Sequence, residues 1–513
     1  MKILKRIIAA IIIVGLAAVI ICLGISEEHR LSALQASLDE EEVYITRETI
    51  RIWYTDEDLN EYINSAAVAF ASLPENSHIR VTPVLVSALE YLENINFASI
   101  NGEGPDLYII GHDNLEKAYL AGLATVVDAD TLTPLIPQYP DIAISAVSYH
   151  GKILAFPFYF ETTALIYNRS HLEEMARAKI ISDADFAAAE QAMLDLETHG
   201  PEDEILEATD HLTDIEALLN DDEFIESRLS YLRPASFEDL KDIAMEYDAP
   251  LTVEALLEWD VTDIFYNYFF IGDTITVGGE SGDNTANINI YNRSAFNSLR
   301  MYQELNQFFA IEAGKTNYRD IVEKFINGKL VYTIATTDIV AALDEAARAE
   351  IFTDGFGVLP TLHIDDTTHT RSLSMVGSVV INGYTDQKAE ANRFASFLVG
   401  EYAGNLYAYT GKIPANHSVI PDDPRLLVFA DEFARSIPLP KMIETSNFWV
   451  LLETTFAHVW GGANVNEELR LLSERVMSQI TGTLYHETAI EDDIVRFEFD
   501  YLDEDELIRE AQQ

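Results

Sequence analysis

The chain has 513 residues, of which 48% are hydrophobic and 10% aromatic, so it is not a disordered polypeptide and it is too long for one hydrophobic core. Its 86 acidic residues against 33 basic ones give a net charge of −53, which excludes nucleic acid and anionic lipid headgroups as partners because they would be repelled. We therefore expect two or more globular domains. With a single cysteine there is no intrachain disulfide, so the cores must stabilise them.

The N-terminus carries an unbroken apolar segment, residues 7–25, which is about long enough to cross a bilayer as a helix. Basic residues precede it and two glutamates follow, so the positive-inside rule puts the rest of the chain outside the cytoplasm. We favour a single-pass anchor in the cell membrane (residues 1–26, then a stalk, 27–47) over a cleaved signal peptide, because the segment is long and lacks an A-x-A site. A lipoprotein attached through Cys22 is the alternative, although the bulky Ile21 fits its cleavage box poorly.

The folded part opens with alternating strands and helices. Residues 49–54 predict a strand, residues 59–73 a helix with apolar residues at helical spacing, and residues 78–86 a second strand. This alternation predicts an α/β fold with a doubly wound sheet.

Two carboxylates stand out between residues 104 and 168. Asp113 follows the buried strand 107–110, and ligands of open α/β sheets bind just outside the carboxyl ends of strands. Asp113 with Glu116 also suits a helix cap, which the residues alone favour. Glu161 interrupts an otherwise apolar run, and its competing interpretation is a solvated residue on an edge strand.

Residues 182–232 differ from their surroundings, because two helical stripes of apolar residues alternate with a dense acidic face. We expect an inserted helical hairpin with one solvated side, and a docking surface for a basic partner is the less favoured alternative. The aromatic run 259–270 is expected in the core rather than on a ligand platform. Residues 481–513 are expected to form an acidic peripheral tail.

Motifs for catalysis are incomplete. There is no phosphate loop, no dinucleotide-binding spacing and no G-x-S-x-G elbow. Asp56 begins a calcium-like loop, but Glu61 stands where that loop needs glycine. His486 and Glu487 begin a zinc motif that Ile490 fails to complete. We therefore expect no metal, no cofactor and no enzymatic activity.

Six motifs follow one another in a familiar order: GPDLYIIGHDN, SYHGKILAFPFYFETTALIYN, PASFEDL, FINGKLVYTI, FGVLPTL and KMIETSNFW. In this order they resemble the extracellular solute-binding proteins of ABC importers, most closely the maltose-binding-like group. The resemblance covers residues 50–480 without the acidic insertion. Each motif is weak alone, and the order of all six carries the resemblance.

The resemblance implies a two-lobed periplasmic-binding-protein type II fold with a hinge. It implies a monomer that closes over a carbohydrate and then docks on the permease subunits of an ABC transporter. The N-lobe would hold residues 48–160 and 372–428, and the C-lobe residues 161–371 and 429–480. Crossings between the lobes are expected near residues 159–162, 362–372 and Val428.

Matched to the family, Asp113 corresponds to a carboxylate that accepts hydrogen bonds from sugar hydroxyls, Glu161 to a hinge-side carboxylate and Trp449 to an aromatic that stacks on a sugar face. This changes the favoured interpretation of Asp113 from cap to ligand contact. Weaker candidates, placed only by region, are Tyr54, Asp56, Tyr266 and Tyr268.

Three positions depart from the maltose-binding pattern. Ile110 and Asp338 stand where relatives carry stacking tryptophans, and Asn114 stands where an arginine is common. Asn114 and Asp338 are nevertheless candidate ligand contacts. With two stacking platforms lost and one acid gained, another neutral or amino-bearing oligosaccharide is as consistent with the sequence as maltodextrin.

Two other functions remain open at this point. One is a glycoside-acting enzyme that uses Asp113 and Glu161 as its carboxyl pair. The other is a sensor or scaffold that keeps the fold and works through the acidic hairpin. The leading hypothesis is a carbohydrate-binding protein of an ABC importer.

Overall fold

The computed structural model describes residues 48–182 and 218–491, apart from residues 248, 310, 314–315, 366–367 and 446. The apolar segment 7–25, the stalk, most of the acidic insertion and the end of the tail lie outside these residues. In the part of the chain that is described, no helix is both long and apolar enough to span a bilayer.

The described residues fall into two units. The smaller contains residues 48–49 and 71–80, where the amide of Glu48 donates to the carbonyl of His78 at 3.0 Å. The larger, residues 50–70 and 81–491, carries the second sheet and the first sheet apart from the starts of β1 and β2.

The strands are numbered in chain order. They are β1 (Glu48–Tyr54), β2 (Ile79–Leu85), β3 (Leu107–Gly111), β4 (Ser148–Tyr149), β5 (Lys152–Ile153), β6 (Ala155–Glu161), β7 (Thr163–Asn168), β8 (Ala255–Leu257), β9 (Thr276–Val277), β10 (Ile288–Asn289), β11 (Leu330–Thr336), β12 (Phe356–Leu359), β13 (Leu373–Ile381), β14 (Ile413–Pro414) and β15 (Ile437–Pro438).

The helices are numbered in the same way. They are α1 (Leu59–Ser72), α2 (Tyr91–Ile100), α3 (Leu115–Leu120), α4 (Ala129–Leu132), α5 (Asp141–Ala146), α6 (Asp222–Leu229), α7 (Phe237–Glu246), α8 (Phe269–Gly272), α9 (Arg293–Phe309), α10 (Tyr318–Ile326), α11 (Ile339–Arg348), α12 (Lys388–Val399), α13 (Leu406–Thr410), α14 (Pro424–Arg435), α15 (Phe448–Trp460) and α16 (Val465–Thr481). Residues 169–182 are also helical.

Two sheets organise the molecule. The first has seven strands in the order β14-β6-β13-β3-β1-β2, with β15 also paired to β13. The second has four strands in the order β12-β7-β11-β8. Strand β13 runs antiparallel to both β3 and β6, and β1 is parallel to β3. Strands β1, β3 and β6 therefore point the same way, and their carboxyl ends share one edge of the first sheet.

The chain passes from the first sheet to the second with one residue between strands. Strand β6 ends at Glu161 and β7 begins at Thr163, and between them the Thr162 hydroxyl donates to the carbonyl of Leu373 at 2.8 Å. The return runs between β12 and β13, where the hydroxyls of Thr361 and Ser372 are 2.8 Å apart. The two connections therefore lie side by side and are hydrogen-bonded to each other.

The aromatic run 259–270 lies in the core, as predicted. Trp259, Tyr268 and Phe269 are almost completely buried in the hydrophobic cluster that packs on the second sheet. Helix α7 begins with a capping box, in which the Ser236 side chain accepts from the amide of Asp239 and the Asp239 carboxylate accepts from the Ser236 amide in return. Polar groups at the start of α7 are thus satisfied locally.

The end of the acidic insertion is described from residue 218 onward. Asp221 caps α6, and Ile225 and Leu229 on that helix are buried in the core cluster of the second sheet. The predicted hairpin falls mainly on residues 183–217, outside the described residues. Its C-terminal end, however, is anchored to the core by apolar side chains.

Candidate functional site

Three acidic residues follow the carboxyl ends of parallel strands in the first sheet. Asp56 comes two residues after β1, Asp113 two residues after β3, and Glu161 is the last residue of β6. Strand β6 lies between β14 and β13, so the interpretation of Glu161 as an edge-strand residue is wrong. All three carboxylates lie at the edge of an open α/β sheet where ligands bind.

Lys412 joins two of these carboxylates. Its Nζ lies 2.9 Å from Asp56 Oδ2 and 3.9 Å from Glu161 Oε1, and 5.0 Å from the centre of the Tyr159 ring. Burial would lower the pKa of Lys412, but the bond to Asp56 and the nearby carboxylates outweigh it and raise that pKa. Lys412 is not predictable from the sequence, because it precedes the two-residue strand β14, which shows no apolar pattern of its own.

The pKa of Glu161 reports which charges surround it. Burial raises this pKa, Lys412 partly offsets the rise, and Asp338 and Asp56 raise it further. Asp338 follows β11 of the second sheet, so a carboxylate from that sheet is close enough to act on Glu161. The charge of an acidic group from the second sheet therefore acts on Glu161 of the first sheet.

Hydroxyl groups hold Asp338 in place. The Tyr318 hydroxyl donates to Asp338 Oδ1 at 3.0 Å, and the Thr336 hydroxyl donates to the same oxygen. Tyr266 stacks on Tyr318 with ring centres 4.9 Å apart. Tyr318 was not predicted, because its contact with Asp338 comes from the packing of α10 against β11 rather than from a sequence motif. Thr336, two residues before Asp338, was not predicted either.

Trp449 is the second residue of α15 and is half-buried. Its ring centre lies 6.1 Å from that of Tyr268 and 5.0 Å from that of Phe448. Helix α15 contacts the 3-10 turn Ile264–Tyr266. Trp449 packs against the hydrophobic cluster that contains Tyr266 and Tyr268.

Asp113 does not cap a helix. A 3-10 turn, His112–Asn114, precedes α3, which begins without a side-chain cap, and Glu116 instead accepts from the Tyr149 hydroxyl at 2.9 Å and the amide of Ile443 at 2.8 Å. The predicted capping pair is therefore wrong. Asn114 Nδ2 donates to Asp113 Oδ2 at 2.8 Å, and burial raises the pKa of Asp113.

Tyr54 and Tyr268 lie in the core, each only 1% exposed. The Tyr54 hydroxyl donates to Asn60 Oδ1 at 2.7 Å, and Tyr268 packs against Trp449. Tyr266 is also buried, beside the partly buried Tyr318. In this arrangement the three predicted tyrosines support neighbouring residues rather than presenting surface to a ligand.

The chemistry of this group suits a hydroxylated ligand. Carboxylate oxygens accept hydrogen bonds from hydroxyls, and a half-exposed indole covers the apolar face of a ring. Among the residues that the structure describes, no three His, Cys, Asp or Glu side chains are grouped so that they could hold a metal ion.

Residues 68–428, more than half of the chain, match the protein family described as bacterial extracellular solute-binding protein. Over 84 residues the chain is 38% identical to the maltotriose-binding protein of Pyrococcus abyssi. That stretch spans 16% of this chain and 18% of the relative, so the chain matches far less than two thirds of that protein.

Solved structures resemble the chain over most of its length. A cyclo/maltodextrin-binding protein complexed with maltotetraose gives a TM-score of 0.63 at 18% identity, covering 86% of this chain and 99% of that one. An extracellular solute-binding protein from Staphylococcus aureus in complex with maltose gives 0.62 at 17% identity, covering 85% and 98%. These likenesses show the α/β two-lobed fold of maltose-binding proteins, which confirms the predicted fold of the described part.

Proposed function

Because this chain belongs to the bacterial extracellular solute-binding protein family, we propose that it captures an oligosaccharide between its two lobes and delivers it to the permease subunits of an ABC transporter. The observation that supports the proposal is the group of carboxylates at these strand ends, where Lys412 lies between Asp56 and Glu161 and the charge of Asp338 from the second sheet acts on Glu161. A ligand there touches both lobes at once, and such contacts favour the closed arrangement.

The ligand we propose is a maltodextrin-like or related oligosaccharide. The relatives named for maltotriose, maltotetraose and maltose support this class. Ile110 and Asp338 replace stacking groups of the maltose-binding pattern, and the site holds more carboxylates than cations. A neutral or amino-bearing sugar with many hydroxyl donors therefore fits the site. We propose that it is contacted directly by the residues Asp56, Asp113, Asn114, Glu161, Asp338 and Trp449.

We propose an N-lobe of residues 48–160 and 372–428 and a C-lobe of residues 161–371 and 429–480. The strand connections support the boundaries at 160/161 and 371/372. They do not support the third, because Val428 lies within α14 and β15, beyond it, pairs with β13 of the first sheet. The adjacent connections at Thr162 and at residues 362–372 would form the hinge. In hinge motions a small number of connecting residues absorbs the whole rotation of one lobe against the other.

We propose that residues 7–25 tether the protein to the cell membrane as a single-pass anchor, with attachment through Cys22 as the alternative. The family is extracellular, which supports a location of the folded lobes outside the cytoplasm. The protein would act as a monomer and without catalysis.

The proposal is tested by titrating the protein with a panel of mono- and oligosaccharides, following thermal stability and tryptophan fluorescence. We expect one class of oligosaccharide to raise Tm and to change the fluorescence. Trp449→Phe should remove most of the fluorescence change, whereas the matched control Trp53→Phe, on β1, should keep it. Glu161→Gln and Asp338→Asn should each weaken binding by about tenfold, the loss of one charge-assisted hydrogen bond.

A panel that leaves Tm and fluorescence unchanged would contradict the proposal. Analysis of the oligosaccharide recovered after incubation with the protein distinguishes binding from catalysis. We expect oligosaccharides to be recovered intact after long incubation, and shortened products that depend on Asp113 and Glu161 would support a glycoside-acting enzyme instead.

A further inference from the structure

Strand β13 lies between two carboxylates of the group at the strand ends. Met375 of β13 pairs with Glu161 of β6, and a Cβ on Gly111 of β3 would meet Asp113 Oδ1 at 2.4 Å and Met375 Sδ at 3.6 Å. Met375 is partly exposed, whereas the other residues of β13 are buried. Asp113 and Glu161 therefore flank a partly exposed side chain on the strand between them.

Lys412, the cation beside this group, is bonded to a different carboxylate. Its Nζ lies 2.9 Å from Asp56 Oδ2 but 3.9 Å from Glu161 Oε1. In the described part of the chain, no hydrogen bond reaches the Glu161 carboxylate. Burial raises the pKa of Glu161, Lys412 offsets the rise only in part, and Asp338 and Asp56 add to it. Among the described residues, Glu161 therefore has no cation of its own.

The other two carboxylates have neutral partners. Asp113 Oδ2 accepts from Asn114 Nδ2 at 2.8 Å. Asp338 Oδ1 accepts from the hydroxyl of Tyr318 at 3.0 Å and from that of Thr336. Amide and hydroxyl donors orient a carboxylate but leave its charge in place.

The group therefore carries more negative charge than the surrounding side chains compensate. Its four carboxylates share the single ammonium group of Lys412; they are those of Asp56, Asp113, Glu161 and Asp338. Nearby carboxylates favour an added positive charge. A bare metal ion is not indicated, because within the described ranges no three His, Cys, Asp or Glu side chains are grouped to hold one. The compensating charge would thus come from a larger ligand.

An amino group on the ligand suits these carboxylates. An ammonium group has three donors and no acceptor, so it can bond more than one carboxylate oxygen, whereas a hydroxyl donates a single hydrogen. Its charge would also lower the pKa of Glu161 again, because an opposite charge nearby favours the ionised carboxylate. Hydrogen bonds between ionised partners are roughly twice as strong as neutral ones. An amino-bearing sugar therefore gains more from this site than the same sugar without its charge.

We propose that the ligand of this site is a cationic oligosaccharide, one that carries free amino groups, with an ammonium group bound by Glu161 and Asp338. This inference rests on the proposed function, because it takes the carboxylates at the strand ends as the sugar site. Lys412 and the ammonium group would then divide the carboxylates between them. The acetylated form of such a sugar, which has no charge, would bind more weakly.

The test compares two pairs of tetrasaccharides by isothermal titration calorimetry on the full chain, at about pH 6.5, below the usual pKa of an amino group. One pair is the glucosamine tetramer and its N-acetylated form. The other is maltotetraose with amino groups in place of its 6-hydroxyls and maltotetraose itself. We expect the amino form of at least one pair to bind about tenfold more tightly than its neutral form. The preference should fall as NaCl rises from about 10 mM to about 150 mM, because salt screens charge pairing.

Three variants locate the preference. Asp338→Asn keeps an oxygen for the bonds from Tyr318 and Thr336 but removes the charge, so it should remove most of the preference for the amino form. Glu161→Gln should act in the same way. Glu345→Gln, which removes one charge from an exposed position of α11, is the matched control and should keep the preference. The control separates the site from the general attraction of a net charge of −53.

The inference is overturned if the neutral sugar of each pair binds as tightly as its amino form, or if the preference survives both Asp338→Asn and Glu161→Gln. In the first case the neutral sugars still bind and the proposed function stands, so the two failures are distinguishable. If none of the tetrasaccharides binds, the inference and the proposed function are both contradicted.

Discussion

His112 is a buried residue whose two ring nitrogens have different roles. Nδ1 accepts from the amide of Val376 at 3.0 Å, and Nε2 donates to the carbonyl of Leu439 at 3.0 Å. Only the neutral ring can make both bonds, because a protonated Nδ1 would face an N–H group. Burial, reinforced by the charge of Lys441, lowers the pKa of His112 to about 3.

This pKa predicts an acid dependence of stability. Between about pH 6.5 and 3, His112 is protonated in the unfolded chain but stays neutral in the folded one. The free energy of unfolding therefore falls as pH falls, by up to about 1.4 kcal/mol per pH unit. His112→Gln should lower stability at pH 7 but should lose less of it on acidification. Urea unfolding at pH 7, 6 and 5 measures this, with the exposed His417→Gln as control. Equal slopes for wild type and His112→Gln would contradict the prediction.

Lys412 separates carboxylates that would otherwise repel one another. Removing it in Lys412→Met leaves Asp56 and Glu161 without their cation. We expect a loss of about 1–3 kcal/mol, below the ~3–5 kcal/mol for a fully buried pair, because the side chain is 17% exposed.

A double-mutant cycle checks the cause of that loss. Asp56→Asn added to Lys412→Met should recover part of the stability in urea unfolding, because one of the repelling charges is then gone. Purely additive effects would mean that Lys412 stabilises the fold through packing alone.

Each sheet contains a glycine opposite a tyrosine on the neighbouring strand. Gly377 of β13 pairs with Tyr159 of β6, and Gly357 of β12 pairs with Tyr167 of β7. A Cβ on Gly377 would lie 2.3 Å from the Tyr159 ring, and one on Gly357 would lie 2.2 Å from Tyr167. The absence of a side chain lets each ring lie flat across the adjacent strand.

Gly377→Ala should therefore destabilise the first sheet by roughly 1–3 kcal/mol through overpacking. Ligand affinity should fall as well, because Tyr159 lies beneath Lys412. Gly404→Ala is the control, since its new Cβ would meet nothing closer than 3.9 Å. Thermal unfolding of both variants tests this prediction. Equal Tm values for Gly377→Ala and Gly404→Ala would show that Tyr159 moves aside at little cost in free energy.

The sequence predicts where strands and helices lie better than it predicts which strands pair in a sheet. Apolar spacing locates β1, β3 and α1 to within a few residues. It does not show that β6 and β7 belong to different sheets, because no turn residue interrupts the run that contains Glu161 and Thr162. Helix α14 was missed although Asp423 caps it and Pro424 begins it, which are ordinary start signals.

The candidate site follows the same rule. Asp113 was found because it follows a visible strand end, Glu161 because it interrupts an apolar run and matches the family, and Asp56 only by its region. The contact of Lys412 with Asp56 joins positions far apart in the chain, so only the order of strands in the sheet reveals it. The assignment of Asp113 as a cap failed because a 3-10 turn comes before the helix.

The whole molecule carries a charge of −53, which opposes compact structure through self-repulsion. We expect Tm of the full chain to rise by a few degrees between 10 mM and 150 mM NaCl, as screening shortens the range of that repulsion from about 30 Å to about 8 Å. Binding of a neutral sugar should change little over the same range. A repeat with KCl separates screening from a specific ion effect, and a falling Tm would contradict the prediction.

The central position of β13 has a consequence for the order in which the protein is made. Strands β3 and β6 are synthesised early, but the strand that lies between them ends only at Ile381, after the whole second sheet has emerged. At roughly 5–20 residues per second, the first lobe waits for tens of seconds without its middle strand. The nascent first half should therefore stay open and exposed to chaperones, which suits a member of an extracellular protein family.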